Sequence, residues 1–121
     1  MAHRILIVED ESELSDLLKT RLEANNYEVI TAADGKEGFE KAHNERPDLI
    51  LLDLRLPKVD GYWICNILKH DKRHAKTPII IITAKAGSDN MKLAKECGAD
   101  MYMVKPFEIE ELLSKIAILL K

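Results

Sequence analysis

Five short runs of apolar residues recur along the chain, and each is followed by a longer segment whose apolar residues stand three or four positions apart. Runs that are apolar on both faces are typical of buried strands in a parallel sheet, whereas the longer spacing is typical of an amphipathic helix. We therefore predict five strands, at residues 5–8, 27–32, 49–52, 79–82 and 101–104.

The segments after these strands predict five helices. Asp10, with Glu13 three positions later, is expected to form a capping box at the start of the first helix. Pro47 stops the second helix, the third spans about residues 61–69, and Gly98 ends the fourth.

The strict alternation of strands and helices predicts one α/β domain over residues 1–121. Right-handed crossovers with helices on both faces favour a doubly wound sheet. We expect five parallel strands in the order 2-1-3-4-5 with five helices, which is a flavodoxin-like architecture.

The composition is that of an ordinary soluble protein, with 46% hydrophobic residues, 32% charged residues and a net charge of -3. The negative charge disfavours non-specific binding to nucleic acid, and no apolar run approaches the ~20 residues that span a bilayer. Because Met1 leads directly into the first strand, we expect no signal peptide and a cytoplasmic location. Cys65 and Cys97 form no CxxC motif and are expected to be reduced, buried thiols.

Chemistry-bearing residues stand at the carboxyl ends of four predicted strands. In the expected order these strands are neighbours, so their ends should meet at one crevice of the sheet. The residues are Glu9, Asp10, Asp53, Thr83 and Lys105. Carboxylates brought together repel one another unless a cation joins them, and an all-oxygen set favours Mg²⁺. Asp53 is then a candidate nucleophile that forms an acyl phosphate.

Each of these residues also has a plainer interpretation. Asp10 and Asp53 could cap the turns that follow them, Thr83 could simply end a strand, and Lys105 could be an ordinary surface lysine. The occurrence of all five at the correct strand ends favours the functional interpretation.

Four segments make the chain resemble response-regulator receiver domains, the phosphoacceptor modules of two-component signalling. They are Val8-Glu9-Asp10-Glu11, Asp53-Leu54-Arg55-Leu56-Pro57-Lys58-Val59-Asp60-Gly61, Thr83-Ala84, and Gly98-Ala99-Asp100-Met101-Tyr102-Met103-Val104-Lys105-Pro106-Phe107. The resemblance extends over essentially the whole chain.

The resemblance implies a Mg²⁺-dependent phosphorylation of Asp53. Asp10 is expected to ligate the ion directly, together with Asp53 and the backbone carbonyl of Arg55, while Glu9 acts through a water molecule. Lys105 is expected to pair with the phosphate and to precede a cis peptide bond.

The resemblance also implies a conformational switch and partners. Thr83 is expected to move toward the phosphoryl group and Tyr102 to swing inward behind it. The phosphoryl donor would be a phosphohistidine on a sensor histidine kinase or a phosphotransfer protein. The face formed by helix 4, strand 5 and helix 5, which could include Ile118, would contact an effector or a second copy of the chain. The domain would assist only its own phosphorylation and dephosphorylation and would not be an enzyme.

Two basic residues flank the expected site, Arg55 two positions after Asp53 and Lys85 two positions after Thr83. We hypothesise that both side chains shield the phosphoryl group from water, although two solvated cations are the plainer interpretation. The double variant Arg55→Asn with Lys85→Ala should then lose its phosphoryl mass faster, and an unchanged rate would contradict the hypothesis.

Two other classes share parts of this pattern. A haloacid dehalogenase-type phosphotransferase also uses Asp, Thr or Ser, Lys and Mg²⁺, but it needs a second Asp where this chain has Arg55. A flavodoxin-like electron carrier needs a glycine- and hydroxyl-rich loop after strand 1, where this chain has Glu9-Asp10-Glu11, which would repel the phosphate of FMN. The signalling switch is favoured.

Two smaller features complete the predictions. His70 and His74 have the i, i+4 spacing of a metal-binding pair, but a polar surface connection is expected over residues 71–77 and a third ligand is lacking nearby, so a metal role is disfavoured. The chain ends with helix 5, and Met1 favours a stand-alone receiver or the amino-terminal part of a longer regulator.

Overall fold

The computed structural model of the chain describes residues 2–54, 61–84 and 88–121. Five parallel strands form one sheet in the order β2-β1-β3-β4-β5, as predicted. The elements in chain order are β1 (Arg4–Val8), α1 (Ser12–Ala24), β2 (Glu28–Ala32), α2 (Gly35–Glu45), β3 (Leu49–Asp53), α3 (Gly61–His70), β4 (Ile79–Thr83), α4 (Ser88–Glu96), β5 (Met101–Val104) and α5 (Ile109–Leu119).

The hydrophobic core has two parts, one on each face of the sheet. Alternate residues of the central strands point to opposite faces, so β1 gives Ile5 and Ile7 to one part and Leu6 and Val8 to the other. Helices α1 and α5 cover the first part, and α2, α3 and α4 cover the second. The continuous aliphatic runs of β1, β3 and β4 follow from this burial on both faces.

The start of α1 differs from the prediction. Its N-cap is Glu11 rather than Asp10, and no side chain caps the helix, so the expected capping box of Asp10 and Glu13 is wrong. The carboxylate of Glu9 instead accepts a hydrogen bond from the backbone N–H of Glu11 at 3.1 Å. The helix therefore begins one residue later than the sequence pattern predicted.

The predicted helix ends are close to those observed. Arg46 adopts a left-handed conformation (φ 46°) at the C-cap of α2, directly before Pro47. Gly98 follows α4 with φ 92°, a backbone conformation that glycine adopts without steric cost. Cys65 and Cys97 are both buried, as predicted. Within residues 2–54, 61–84 and 88–121, no helix is long and apolar enough to cross a bilayer.

Backbone hydrogen bonds bring the carboxyl ends of the strands to one level. The N–H of Leu54 donates to the carbonyl of Ile82 at 3.3 Å, and the N–H of Lys105 donates to the carbonyl of Thr83 at 2.8 Å. The ends of β3, β4 and β5 are therefore held side by side. The residues at these strand ends are therefore brought to the same edge of the sheet.

Candidate functional site

An acidic crevice, formed by Glu9, Asp10, Asp53 and Lys105, lies at the carboxyl edge of the sheet. One carboxylate oxygen from each of its three acids lies within 4.8 Å of one from each of the others. Asp10, Asp53 and Lys105 also line an open pocket of about 180 Å³ together with Ala84. The crevice is thus reachable from solvent.

The acids of the crevice differ in burial. Asp53, the last residue of β3, is 5% exposed, and Glu9, which follows β1, is 4% exposed. Asp10 is exposed. Burial of a carboxylate needs a charged partner, because desolvation of the ion is costly.

Lys105 is that partner. Its Nζ donates to Asp53 Oδ2 at 2.9 Å and to Glu9 Oε1 at 3.0 Å. A weaker contact at 3.4 Å reaches Glu11 Oε1. One ammonium group therefore joins Glu9, which follows β1, and Asp53, which ends β3, and it holds the Asp53 carboxylate in place in the lining of the pocket.

Burial and charge shift the pKa values of this group. Burial raises the pKa of Glu9 to about 7, although hydrogen bonds from Glu11 and Lys105 oppose it; the nearby carboxylate of Asp53 adds to the rise. Burial alone would lower the pKa of Lys105, but its hydrogen bonds to Asp53 and Glu9 outweigh burial and hold that pKa above the usual value.

The raised pKa of Glu9 predicts a pH dependence of stability in the ion-free protein. Between the unfolded pKa of 4.5 and the folded pKa of about 7, the folded state binds a proton that the unfolded state has lost. The free energy of unfolding therefore falls as pH rises through this window. Relative to Glu9→Gln, which cannot ionise, the wild-type protein should lose on the order of 2 kcal/mol between about pH 5 and about pH 8.

Urea denaturation of both proteins at several pH values, with a chelator present, measures this difference. Because other titrating groups are common to both proteins, they cancel in the comparison. Parallel stability curves for wild type and Glu9→Gln would contradict the assignment.

The predicted switch residues lie on β4 and β5, the two strands that follow β3 in the sheet. Thr83 ends β4 and is fully buried, and Tyr102 in β5 is half-buried against the core face covered by α2, α3 and α4. Burial raises the pKa of the Tyr102 hydroxyl. The peptide bond between Lys105 and Pro106 is cis, as the resemblance implied.

Other predicted residues fall elsewhere. Arg55 and Lys85 lie outside the described residues. His70 and His74 do not come together: His70 Nδ1 contacts the carbonyl of Asn66 at 2.7 Å, while His74 is buried. The sequence analysis missed the contact of Glu11 with Lys105, although Glu11 continues the acidic run that follows β1.

The donor set of the acidic crevice suits Mg²⁺. Its three acids offer oxygen atoms only, which is the ligand type that Mg²⁺ prefers, and their spacing places one oxygen from each within reach of a common centre. The exposed position of Asp10 leaves the crevice open to water, and Mg²⁺ commonly keeps several water ligands.

A family model described as "Response regulator receiver domain" matches residues 5–117 of the chain. The chain belongs to this family. A phosphoacceptor role in two-component signalling is general for receiver domains, and this chain has the five-stranded parallel sheet of that family.

Curated relatives of this receiver domain are response regulators. The response regulator ArlR of Staphylococcus saprophyticus is 48% identical over 118 residues, which cover 98% of this chain and 52% of the relative. The alkaline phosphatase synthesis transcriptional regulatory protein PhoP of Bacillus subtilis is 43% identical over 121 residues, covering 100% of this chain and 50% of the relative. The chain spans about half the length of the curated relatives it matches.

Solved receiver domains have the same fold. A CheY-like response regulator receiver domain protein from Methanospirillum hungatei superimposes with a TM-score of 0.93 at 35% identity, covering 99% of this chain and 94% of that one. The chemotaxis protein CheY4 of Vibrio cholerae gives a TM-score of 0.92 at 29% identity, covering 98% and 99% of the two chains.

Proposed function

We propose that this receiver domain takes a phosphoryl group onto Asp53 and thereby switches its surface for a partner. The observation that carries the proposal is the contact of the buried Asp53 carboxylate with Lys105 Nζ at 2.9 Å, in the lining of an acidic pocket. A buried carboxylate that is held in one place and faces an open pocket suits in-line attack.

In the proposed reaction, an oxygen of the Asp53 carboxylate attacks the phosphorus of a phosphohistidine on a sensor kinase or phosphotransfer protein. A bond forms between that oxygen and phosphorus, and the bond between phosphorus and the imidazole nitrogen of the donor breaks. The electron pair leaves with the imidazole, which takes up a proton. The product is an acyl phosphate on Asp53.

Charged side chains around Asp53 would assist this phosphoryl transfer. The ammonium group of Lys105 lies within hydrogen-bond distance of the attacking residue, so it can pair with the phosphoryl oxygens as they arrive. The side chains of Asp10 and Asp53, with Glu9 beside them, would hold Mg²⁺, as would the backbone carbonyl of Arg55 by the family pattern. When bound, the ion neutralises charge on the phosphoryl oxygens.

The switch in this proposal uses Thr83 and Tyr102. Thr83 ends the strand next to β3, so its hydroxyl can turn toward a phosphoryl group on Asp53. Tyr102 lies one strand further along and can move into the space behind it. The surface of α4, β5 and α5 would change as a result, and Ile118 there is 63% exposed.

That surface is our candidate for docking an effector, a second copy of the chain or an attached output domain. The relatives named above include one transcriptional regulatory protein, PhoP, which is about twice as long as this chain. Arg55 and Lys85 remain our candidates for residues that slow hydrolysis of the acyl phosphate.

Incubation with acetyl phosphate and Mg²⁺, followed by intact mass measurement, tests the proposal. The wild-type protein should gain one phosphoryl mass, and Asp53→Asn should gain none, because the amide is a poor nucleophile. Asp16→Asn is the matched control, since Asp16 is an exposed acid of α1. Phosphorylation that persists in Asp53→Asn, or that is lost in Asp16→Asn as well, would refute the assignment.

A further inference from the structure

Two histidines from different parts of the chain meet at the opposite edge of the sheet from the acidic crevice. His43 lies in the last turn of α2, and His74 lies in the connection between α3 and β4. The Nδ1 of His43 and the Nε2 of His74 are 2.9 Å apart, and the ring planes are tilted by 34°. His74 is only 4% exposed, so its ring is fixed by packing.

Asp71 supplies a carboxylate beside this pair. One carboxylate oxygen of Asp71 and one ring nitrogen from each of His43 and His74 all lie within 4.8 Å of one another. His43 and His74 line a cleft of about 270 Å³, which leaves room for a water molecule as a further ligand. Two imidazoles, one carboxylate and an open position are a known ligand set for a catalytic or regulatory zinc ion.

We propose that His43, Asp71 and His74 form a binding site for a divalent transition-metal ion of the zinc class. Imidazole nitrogen suits zinc, copper and nickel, whereas Mg²⁺ prefers oxygen, so this site and the acidic crevice select different ions. In a tetrahedral zinc site with bonds of ~2.0–2.1 Å, two nitrogens stand ~3.3 Å apart. The observed separation of 2.9 Å needs an opening of only a few tenths of an ångström.

In the ion-free protein Arg73 holds the Asp71 carboxylate and contacts the ring nitrogen of His43 that faces away from His74. Its Nη2 contacts Asp71 Oδ2 at 2.8 Å and lies 3.2 Å from the Nε2 of His43. Arginine only donates, so this Nε2 accepts, and the ring hydrogen of His43 is on Nδ1, directed at His74. An ion on Nδ1 moves that hydrogen to Nε2, where it would face Arg73.

Arg73 must therefore leave for the ion to bind. Its side chain is 66% exposed, so it can turn into solvent with little loss of packing. The arginine thus acts as a competitor of the ion for Asp71, and its removal should strengthen metal binding rather than weaken it. If the cluster had only a structural role, removal of Arg73 would not be expected to tighten metal binding.

Calorimetric titration of the ion-free protein with ZnCl₂, in the presence of excess Mg²⁺, tests the site. We expect one zinc ion per chain at the histidine cluster. His43→Gln and His74→Gln should each weaken its binding by about tenfold or more, and Arg73→Gln should tighten it. His70→Gln is the matched control, because His70 contacts Asn66 instead of the cluster.

Imidazole nitrogen NMR spectra separate this site from zinc held by carboxylates. The signals of His43 and His74 should shift on addition of ZnCl₂, and that of His70 should stay in place. Because His74 is buried, the half-buried His43 gives a second variant whose folding is less at risk. The proposal is overturned by an absence of zinc uptake, by uptake that is equal in His43→Gln and wild type, or by weaker binding in Arg73→Gln.

Discussion

Replacing Lys105 with methionine should lower the free energy of unfolding of the ion-free protein by about 2–3 kcal/mol, because two buried carboxylates lose their shared cation. Methionine keeps an unbranched apolar stem like that of lysine but removes the ammonium group. Addition of Mg²⁺ should restore most of the lost stability, since a cation again joins Glu9 and Asp53. Urea denaturation with and without Mg²⁺ measures both effects.

The same variant should slow phosphorylation of Asp53 by acetyl phosphate on the order of 10²-fold, the usual cost of removing one donor to a developing charge. Lys115→Met is the matched control, because Lys115 lies in α5 and pairs there with Glu111 at 3.9 Å, an i, i+4 contact of a largely exposed acid. Equal loss of rate or stability in both variants would show that Lys105 has no special role.

Alanine at Gly61 should destabilise the protein by about 3 kcal/mol and also slow phosphorylation. A Cβ atom there would stand 2.6 Å from the carbonyl oxygen of Asp53 and 2.8 Å from the Cα of Leu54. Both obstacles are backbone, so relief requires a shift of the β3 end that carries the acceptor carboxylate. The rate of acetyl phosphate labelling and the midpoint of urea denaturation measure the two effects.

Gly38→Ala is the matched comparison for this variant. Gly38 is also a helical glycine, and its Cβ would meet the Val8 side chain at 2.8 Å. The obstacle is a side chain rather than the backbone that carries the acceptor, and alanine favours helix by up to about 1 kcal/mol, so the cost should be smaller. Labelling of Asp53 should stay near the wild-type rate, and a larger effect in Gly38→Ala than in Gly61→Ala would contradict this account.

The strand pattern predicted the fold because β1, β3 and β4 are buried on both faces, which leaves a continuous aliphatic run in the sequence. Parallel pairing then brings every strand end to one edge, so the meeting of Glu9, Asp10, Asp53 and Lys105 followed from topology alone. Local pattern and tertiary structure agree at these positions.

Two local features depend on tertiary contacts that the sequence pattern does not predict: the start of α1 and the partner of His74. The N-cap of α1 is Glu11, and the Glu9 carboxylate accepts a hydrogen bond from the N–H of Glu11. Residue propensities at the helix start do not predict this contact. The partner of His74 is His43, 31 residues away, rather than His70, four residues away. The spacing rule for helical ligands fails there because His74 lies beyond the end of α3.

The ammonium group of Lys105 competes with any cation that enters the acidic crevice, because it already contacts Glu9 and Asp53. Binding of a divalent ion is therefore an exchange of partners, and its free energy is the difference between two attractions to the same carboxylates. A site of this kind keeps its ion in ready equilibrium with the surroundings instead of retaining it permanently. Substitutions that move Lys105 by small distances would change the affinity for the ion without changing any of its ligands. The affinity of the site for the ion can therefore vary among related domains that keep the same acidic residues.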